Sequence, residues 1–135
     1  MERLDSKSER TRRRVLRAAA EAFRRHGFAS VTLKDIAGLA DLQPGSLYYH
    51  FDSKEAIVAA VLEAGIRRSF EATRRAVDAL PEETGAADRL RVAIAAHLHS
   101  LLTDSHYAAA NLRILGQVPE AVRERHLVSQ REYGA

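Results

Sequence analysis

The stretch "DLQPGSLYYHFDSKEAI", residues 41–57, crowds a proline, a glycine, two tyrosines and a histidine ahead of an aspartate, a lysine and a glutamate. Pro44 suits the first turn of a helix, where its missing N–H costs nothing. Leu47 and Phe51 stand four apart, so they share a face that can turn inward, and Tyr48, Tyr49 and His50 fall mainly on outward faces. The stretch therefore predicts a helix of about two turns over 44–50, followed by a longer one that Ser53 caps.

Upstream, residues 8–26 read as an amphipathic helix, with Val15, Leu16, Ala19, Ala22 and Phe23 on one face and Arg10, Arg14, Arg17 and Arg25 on another. Gly27 stands where such a helix ends in left-handed backbone. Thr32 is an N-cap with Asp35 three residues on, and Leu33, Ile36, Ala37 and Ala40 line a second short helix that stops at Asp41. Downstream, Val58, Leu62, Ile66, Phe70, Thr73, Val77 and Leu80 carry one stripe along the fourth helix until Pro81. "PEETG" is a linker. A fifth helix is expected over 86–102 with Leu90, Ile94, His97, Leu98 and Leu101 inward, "TDSHY" as a turn, a sixth helix over 107–116 with Ala108, Leu112 and Leu115 inward, and a seventh opening at Pro119. The fold class is all-α.

Composition agrees. Alanine, leucine and arginine outweigh β-branched and aromatic residues, and 46% of the chain is apolar. Cysteine is absent, which excludes disulfides and thiolate metal sites. The N-terminal segment has arginines where a signal peptide needs an apolar run, and "AIVAAVLEAGI" is too short for a membrane span of ~20 residues. A soluble, cytoplasmic protein is the expectation. The net charge of +3 is uneven: residues 1–54 hold 11 Lys/Arg against 7 Asp/Glu, while residues 55–135 hold 10 against 11. A basic front on a neutral body suits a polyanion.

Two short helices joined by a tight turn, the second exposed and the whole basic, outline a helix-turn-helix. Here the likeness becomes specific. "RVLRAAAEAFRRHGFASVTLKDIAGLADLQPGSLYYHFDSKEAIVAAVLE", residues 14–63, resembles the DNA-binding domain of the TetR/AcrR family of bacterial transcriptional regulators, with "GF" (27–28), "T" (32), "DIA" (35–37), "GSLYYHF" (45–51) and "SKE" (53–55) in register. The resemblance implies a helix-turn-helix domain over 1–54 and a helical effector-binding and dimerisation domain over 55–135, shorter at its C-terminus than the family usually carries. It implies that the third helix enters the major groove with Gln43, Pro44, Gly45 and Ser46 foremost and Tyr48 within reach of a base. Thr32, Lys34, Tyr49, His50 and Lys54 would meet phosphates. Two positions depart from the family pattern. Asp41 stands where glycine is common, tolerable because aspartate enters left-handed backbone more readily than most residues. Gln43-Pro44 replaces a common Ser-Lys pair, removing a cation and pointing to a changed base preference.

By the same resemblance, helices four to seven would enclose an effector pocket including Phe70, His97, Leu98, Leu101, Tyr107, Asn111 and Leu115, suited to an apolar or aromatic small molecule. The partners implied are an inverted-repeat duplex DNA operator, that effector and a second copy of the chain. The implied function is a repressor released from its operator by the effector, working in the bacterial cytoplasm at the nucleoid. The competing reading is a small-molecule-binding helical protein that no longer regulates through specific DNA binding, for which Pro44 is the sequence support. His97, His99 and His106 lack the shared face and i+4 partner of a metal site, no cofactor is called for, and no nucleophile stands in a strained-turn context. No enzymatic site is expected.

Overall fold

Ser6 and Thr32 each close a capping box, the hydroxyl accepting the N–H three residues on while that residue's carboxylate takes the cap's own N–H. They open the first two of seven helices in the computed structural model, which describes residues 5–103 and 105–134. The helices are α1 (Lys7–His26), α2 (Leu33–Leu39), α3 (Pro44–His50), α4 (Lys54–Asp78), α5 (Ala86–Thr103), α6 (Ser105–Ile114) and α7 (Glu120–Gly134), and there is no strand among the described residues. Gly27 ends α1 at φ 77, and Ser53 caps α4 by accepting the Ala56 N–H. No described helix is long and apolar enough to cross a membrane.

The core is continuous. Val15, Ala19 and Phe23 of α1, Ile36 and Ala37 of α2, and Leu47 of α3 close on Ile57, Val58, Val61 and Leu62 in the first half of α4. The same cluster runs on to Tyr107, Ala110 and Ile114 of α6 and Val122 of α7. A helix-turn-helix of two seven-residue helices is too small to bury itself, and α1 with the start of α4 supplies its other wall.

Asp41 has φ 54, the sole non-glycine among the described residues in left-handed backbone. It sits in the turn between α2 and α3. Arg14 of α1 fastens that turn by donating from Nη2 to the carbonyls of Ala40, the C-cap of α2, and of Asp41 just beyond it. Arg12 lies over the Phe51 ring at 4.4 Å and donates to the His50 carbonyl at 3.5 Å, at the far end of α3. Arg13 pairs with Asp5, and Arg24 and Arg25 with Glu21. Arg12 and Arg14 thus tie α1 to the ends of α3 and α2, while Arg13, Arg24 and Arg25 pair within the N-terminal segment itself. Asp41→Val is expected to lose about 1–2 kcal/mol of stability, since a β-branched side chain is strained at this φ, whereas Asp41→Gly holds or gains; paired urea melts measure both.

Two expectations fail beyond α4. α6 starts at Ser105 and ends at Ile114, not 107–116, so the turn after α5 is shorter than "TDSHY" suggests; Asp104 lies outside the described residues. More consequentially, the expected inward face of α5 points out. Leu90, Ile94 and Leu98 are 61%, 52% and 51% exposed, Leu102 stands out with them, and His97 is exposed, leaving only Leu101 half-buried. α5 turns Val92, Ala93, Ala96 and Ser100 inward, and Ala96 and Ser100 share a cleft with Ala72 and Ala76 of α4. Small residues on both helices let the axes approach closely, and their spacing is as helical as that of the leucines. Leu112 of α6 is likewise outward, at 81% exposed.

Candidate nucleic-acid interface and ligand cavity

α3 is short, and nearly everything it does not give to the core it gives to the surface. Leu47 is the one side chain of α3 that is fully buried, and Phe51 closes the same face one residue beyond. Gln43, Pro44, Gly45, Ser46, Tyr48 and Tyr49 are all exposed, and His50 is half-buried with its ring edge-on to Tyr49 at 5.2 Å. Gln43 is the N-cap, but its side chain makes no capping bond, so its amide keeps both donor and acceptor for a partner. Gly45 has open space around the position a Cβ would take. One turn of helix therefore presents a flat backbone flanked by two hydrogen-bonding side chains, with Tyr48 and Tyr49 behind.

The flanking groups are more committed. The Thr32 hydroxyl donates to the Asp35 carboxylate at 2.7 Å and accepts the Asp35 N–H at 3.1 Å. The Thr32 N–H bond to that carboxylate, with the hydroxyl's help, lowers the Asp35 pKa. The Lys54 ammonium sits 4.1 Å over the Phe28 ring and reaches the Ala29 carbonyl at 3.4 Å. Lys34 is exposed.

A cavity of about 690 Å³ lies on the other side of the molecule, between the second half of α4, the ends of α5 and α7, and α6. Phe70, Leu101 and Leu115 give it an apolar wall, and Phe70 stacks at 5.3 Å on Tyr133 of α7. Ser69 Oγ and His97 Nδ1 are 2.9 Å apart at its side. Asn111 reaches the Leu62 carbonyl through Nδ2 at 3.4 Å, and its Oδ1 is buried without a partner among the described residues. His126, only 5% exposed, carries a buried Nδ1 equally without one. Burial lowers the His126 pKa, with the Glu63 charge opposing, so the ring is held neutral. Its unfolded form takes a proton near 6.5, so stability falls as pH drops through that value towards the lower folded pKa.

Residues 15–61, from α1 to Val61 in α4, match the family model described as bacterial regulatory proteins, tetR family. Over those residues the chain is similar to the tetR family. The HTH-type transcriptional regulator UidR of Escherichia coli K12 is 34% identical over 80 residues, covering 59% of this chain and 41% of UidR. The HTH-type transcriptional repressor KstR2 of Rhodococcus jostii RHA1 is 39% identical over 66 residues, 49% of this chain and 32% of that protein. The chain thus matches less than half the length of these relatives. The likeness continues in three dimensions past the sequence match: the crystal structure of the superantigen PfiT, 28% identical, superposes with a TM-score of 0.79 over 96% of this chain and 68% of that one.

Five of the seven residues expected in a pocket line the cavity: Phe70, His97, Leu101, Asn111 and Leu115. Two do not. Leu98 is on the exposed stripe of α5, and Tyr107 is buried with the Arg68 guanidinium 5.1 Å from its ring. Both errors follow from the rotation of α5 and the earlier start of α6. Sequence reading missed Ser69, His126 and Tyr133; a histidine and a tyrosine seven apart on α7 were the available signal, on a helix whose weak amphipathicity gives no inner face away.

α6 and the residues after it also touch α1 and the loop that follows it. His106 Nδ1 is 3.0 Å from the Glu21 carboxylate of α1, and Gln117, just beyond α6, accepts the Phe28 N–H at 2.8 Å. The Arg24 guanidinium, with His106 and Arg25, holds the Glu21 carboxyl down at about 2 against an ordinary 4.5. Its contribution to stability is complete above pH 4.5 and disappears as pH falls through 2. Urea melts of Glu21→Gln and the unsubstituted chain are expected to differ at pH 6, to draw together below pH 4.5 and to converge only at about pH 2.

Proposed function

We propose that this chain is a transcriptional regulator that reads duplex DNA through α3 and is released from it when a small apolar or aromatic molecule fills the cavity beside α4. The observation that supports it most is the exposed turn Gln43–Ser46 on a basic domain of the tetR family. The major groove admits one helix, and side-chain amides and hydroxyls at its leading end discriminate bases. Gln43 and Ser46 are the base readers, Gly45 allows close approach, and Tyr48 reaches a thymine methyl. Tyr49, His50, Lys34, Lys54 and the start of α2 at Thr32 hold phosphates. Residues 1–54 are the reading head and 55–135 the sensing part. A second copy places another head about one helical turn (~34 Å) or a multiple away on an inverted repeat, and such a protein works in the cytoplasm, as a repressor and not an enzyme.

Occupancy of the cavity acts on the head by two routes. α4 carries Ser53 and Lys54 at one end and Ser69, Phe70 and Thr73 in the cavity at the other. α6 carries Asn111 in the cavity and His106 on Glu21. The effector must favour the conformer in which the two heads are wrongly spaced, or it shifts nothing. Single substitutions test the assignment of α3. Lys54→Ala is expected to weaken binding uniformly across sequences and to lower the salt slope by about 1, while Gln43→Ala changes which base is preferred at one position at a cost of about 1–3 kcal/mol. Equal behaviour of the two variants in anisotropy titrations against a set of duplexes would count against α3 as the reader.

A further inference from the structure

The cavity beside α4 is lined by fifteen residues, and none of them is Asp, Glu, Lys or Arg. Glu63 stands behind that lining, accepting the Tyr133 hydroxyl at 2.9 Å, and with Arg67 and Arg125 it lines a separate cleft that His126 also borders. His126 itself is held neutral by burial. A carboxylate entering the cavity would lose its hydration with no cation in the lining to replace it, and the Glu63 carboxylate behind Tyr133 would oppose it, a cost of several kcal/mol. The ligand is therefore not an anion.

Its polar group follows from what the lining leaves unmet. Asn111 is oriented by its Nδ2 bond to the Leu62 carbonyl, since the reversed amide would set oxygen against oxygen. That orientation leaves Oδ1 as an acceptor without a partner among the described residues. His126 Nδ1 is the second such atom, and a neutral imidazole nitrogen either donates or accepts. Asn111 touches α4 at Leu62, and at Gly65, where a Cβ would stand 2.5 Å from Nδ2; His126 is on α7, which packs against the same helix. Buried groups of this kind normally find partners. A hydroxyl donates to Asn111 Oδ1 and still meets His126 in either tautomer. A ketone or ether leaves Oδ1 unmet, and a hydrocarbon leaves both. The Phe70–Tyr133 pair at 5.3 Å offers a ring face for the rest of the molecule.

We infer that the cavity takes a ring-bearing molecule that carries a hydroxyl group and no negative charge, an alcohol or a phenol, whose hydroxyl partners the unmet atoms of Asn111 and His126. The inference rests on the cavity being the effector site proposed above, and it is tested without DNA. The 135-residue chain is titrated calorimetrically at pH 7.5 with 4-phenylphenol, 4-cyclohexylcyclohexanol, biphenyl and biphenyl-4-carboxylate. Both hydroxyl compounds are expected to bind about 10-fold or more tightly than biphenyl, with the carboxylate weakest of all. In Asn111→Ala and His126→Phe the ratio of 4-phenylphenol to biphenyl falls towards one, and in Gly65→Ala, which pushes Asn111 aside while removing no polar group, it falls as well. Should those variants fold poorly, the unsubstituted chain still decides: the ¹⁵N resonance of His126 Nδ1 shifts with 4-phenylphenol and stays put with biphenyl. Biphenyl or its carboxylate binding as tightly as the alcohols, or a His126 resonance that 4-phenylphenol does not move, overturns the ligand class and leaves the cavity an effector site. Failure of all four compounds to bind overturns the effector reading too. Failure to find a DNA site while the alcohol preference holds overturns the DNA reading alone.

Discussion

Gly45→Glu is expected to lose about 100-fold or more in affinity for duplex DNA while melting like the unsubstituted protein. Nothing within 4 Å occupies the position its Cβ would take, so the folded chain accommodates the side chain without displacement. An exposed position in a helix, freed of glycine, even gains a few tenths of a kcal/mol from propensity. In the proposed complex the same position faces the groove between two rows of phosphates. A carboxylate there meets like charge at close range and blocks the backbone from approaching, and such juxtapositions cost several kcal/mol. Affinity and melting temperature together separate this from an ordinary loss of structure. Gly45→Ala, which adds bulk without charge, is expected to fall between the two. Full affinity in Gly45→Glu would remove α3 from the interface.

Phe23→Ala carries the largest expected loss of stability, about 3–5 kcal/mol. The ring is wholly buried and lies 6.0 Å from Phe28, at the point where α1 meets the loop that leads to α2. It belongs to the cluster that α2, α3, α4 and α6 share, so the cavity it leaves is bounded by elements that cannot all move inward. Domains of this size are stable by ~5–15 kcal/mol in total, and the loss falls on the reading head first. Denaturant melts followed by far-ultraviolet circular dichroism are expected to show a lower midpoint, with DNA binding lost at denaturant concentrations the unsubstituted chain tolerates. Because α6 shares this core, ligand binding is expected to weaken with it. A change below about 1 kcal/mol would mean that Phe23 does not anchor the shared core.

The N-terminal half was legible because its instructions are local. Thr32, Asp35, Gly27 and Ser53 mark helix ends through bonds made within a few residues, Pro44 does so through the N–H it lacks, and the structure uses each of them, while the Ser6 cap of α1 was not read. Asp41 adopts the left-handed backbone expected of it. What escaped there was the use of arginine: Arg12 and Arg14 bond carbonyls 38 and 26 residues away, and a distance along the chain of that kind has no local signal. The C-terminal half was read less well for the same reason. α5 has two helical stripes, one of leucines and one of small residues, and which packs against α4 depends on Ala72 and Ala76, twenty or more residues earlier. Periodicity favoured the larger side chains. Phe70 and Leu115 were found because they extend stripes already recognised, and Ser69 and His126 were not, because the worth of each lies in a polar atom and not in a stripe.

Selection of binding sites from a random duplex library at ~150 mM salt, where non-specific phosphate binding is weakened, decides whether α3 reads sequence. Enrichment of a defined half-site is expected, its bases changing when Gln43 is replaced, with an inverted repeat of it if two copies bind together. Enrichment of no sequence by the unsubstituted chain, with binding that scales only with salt, would contradict that assignment of α3.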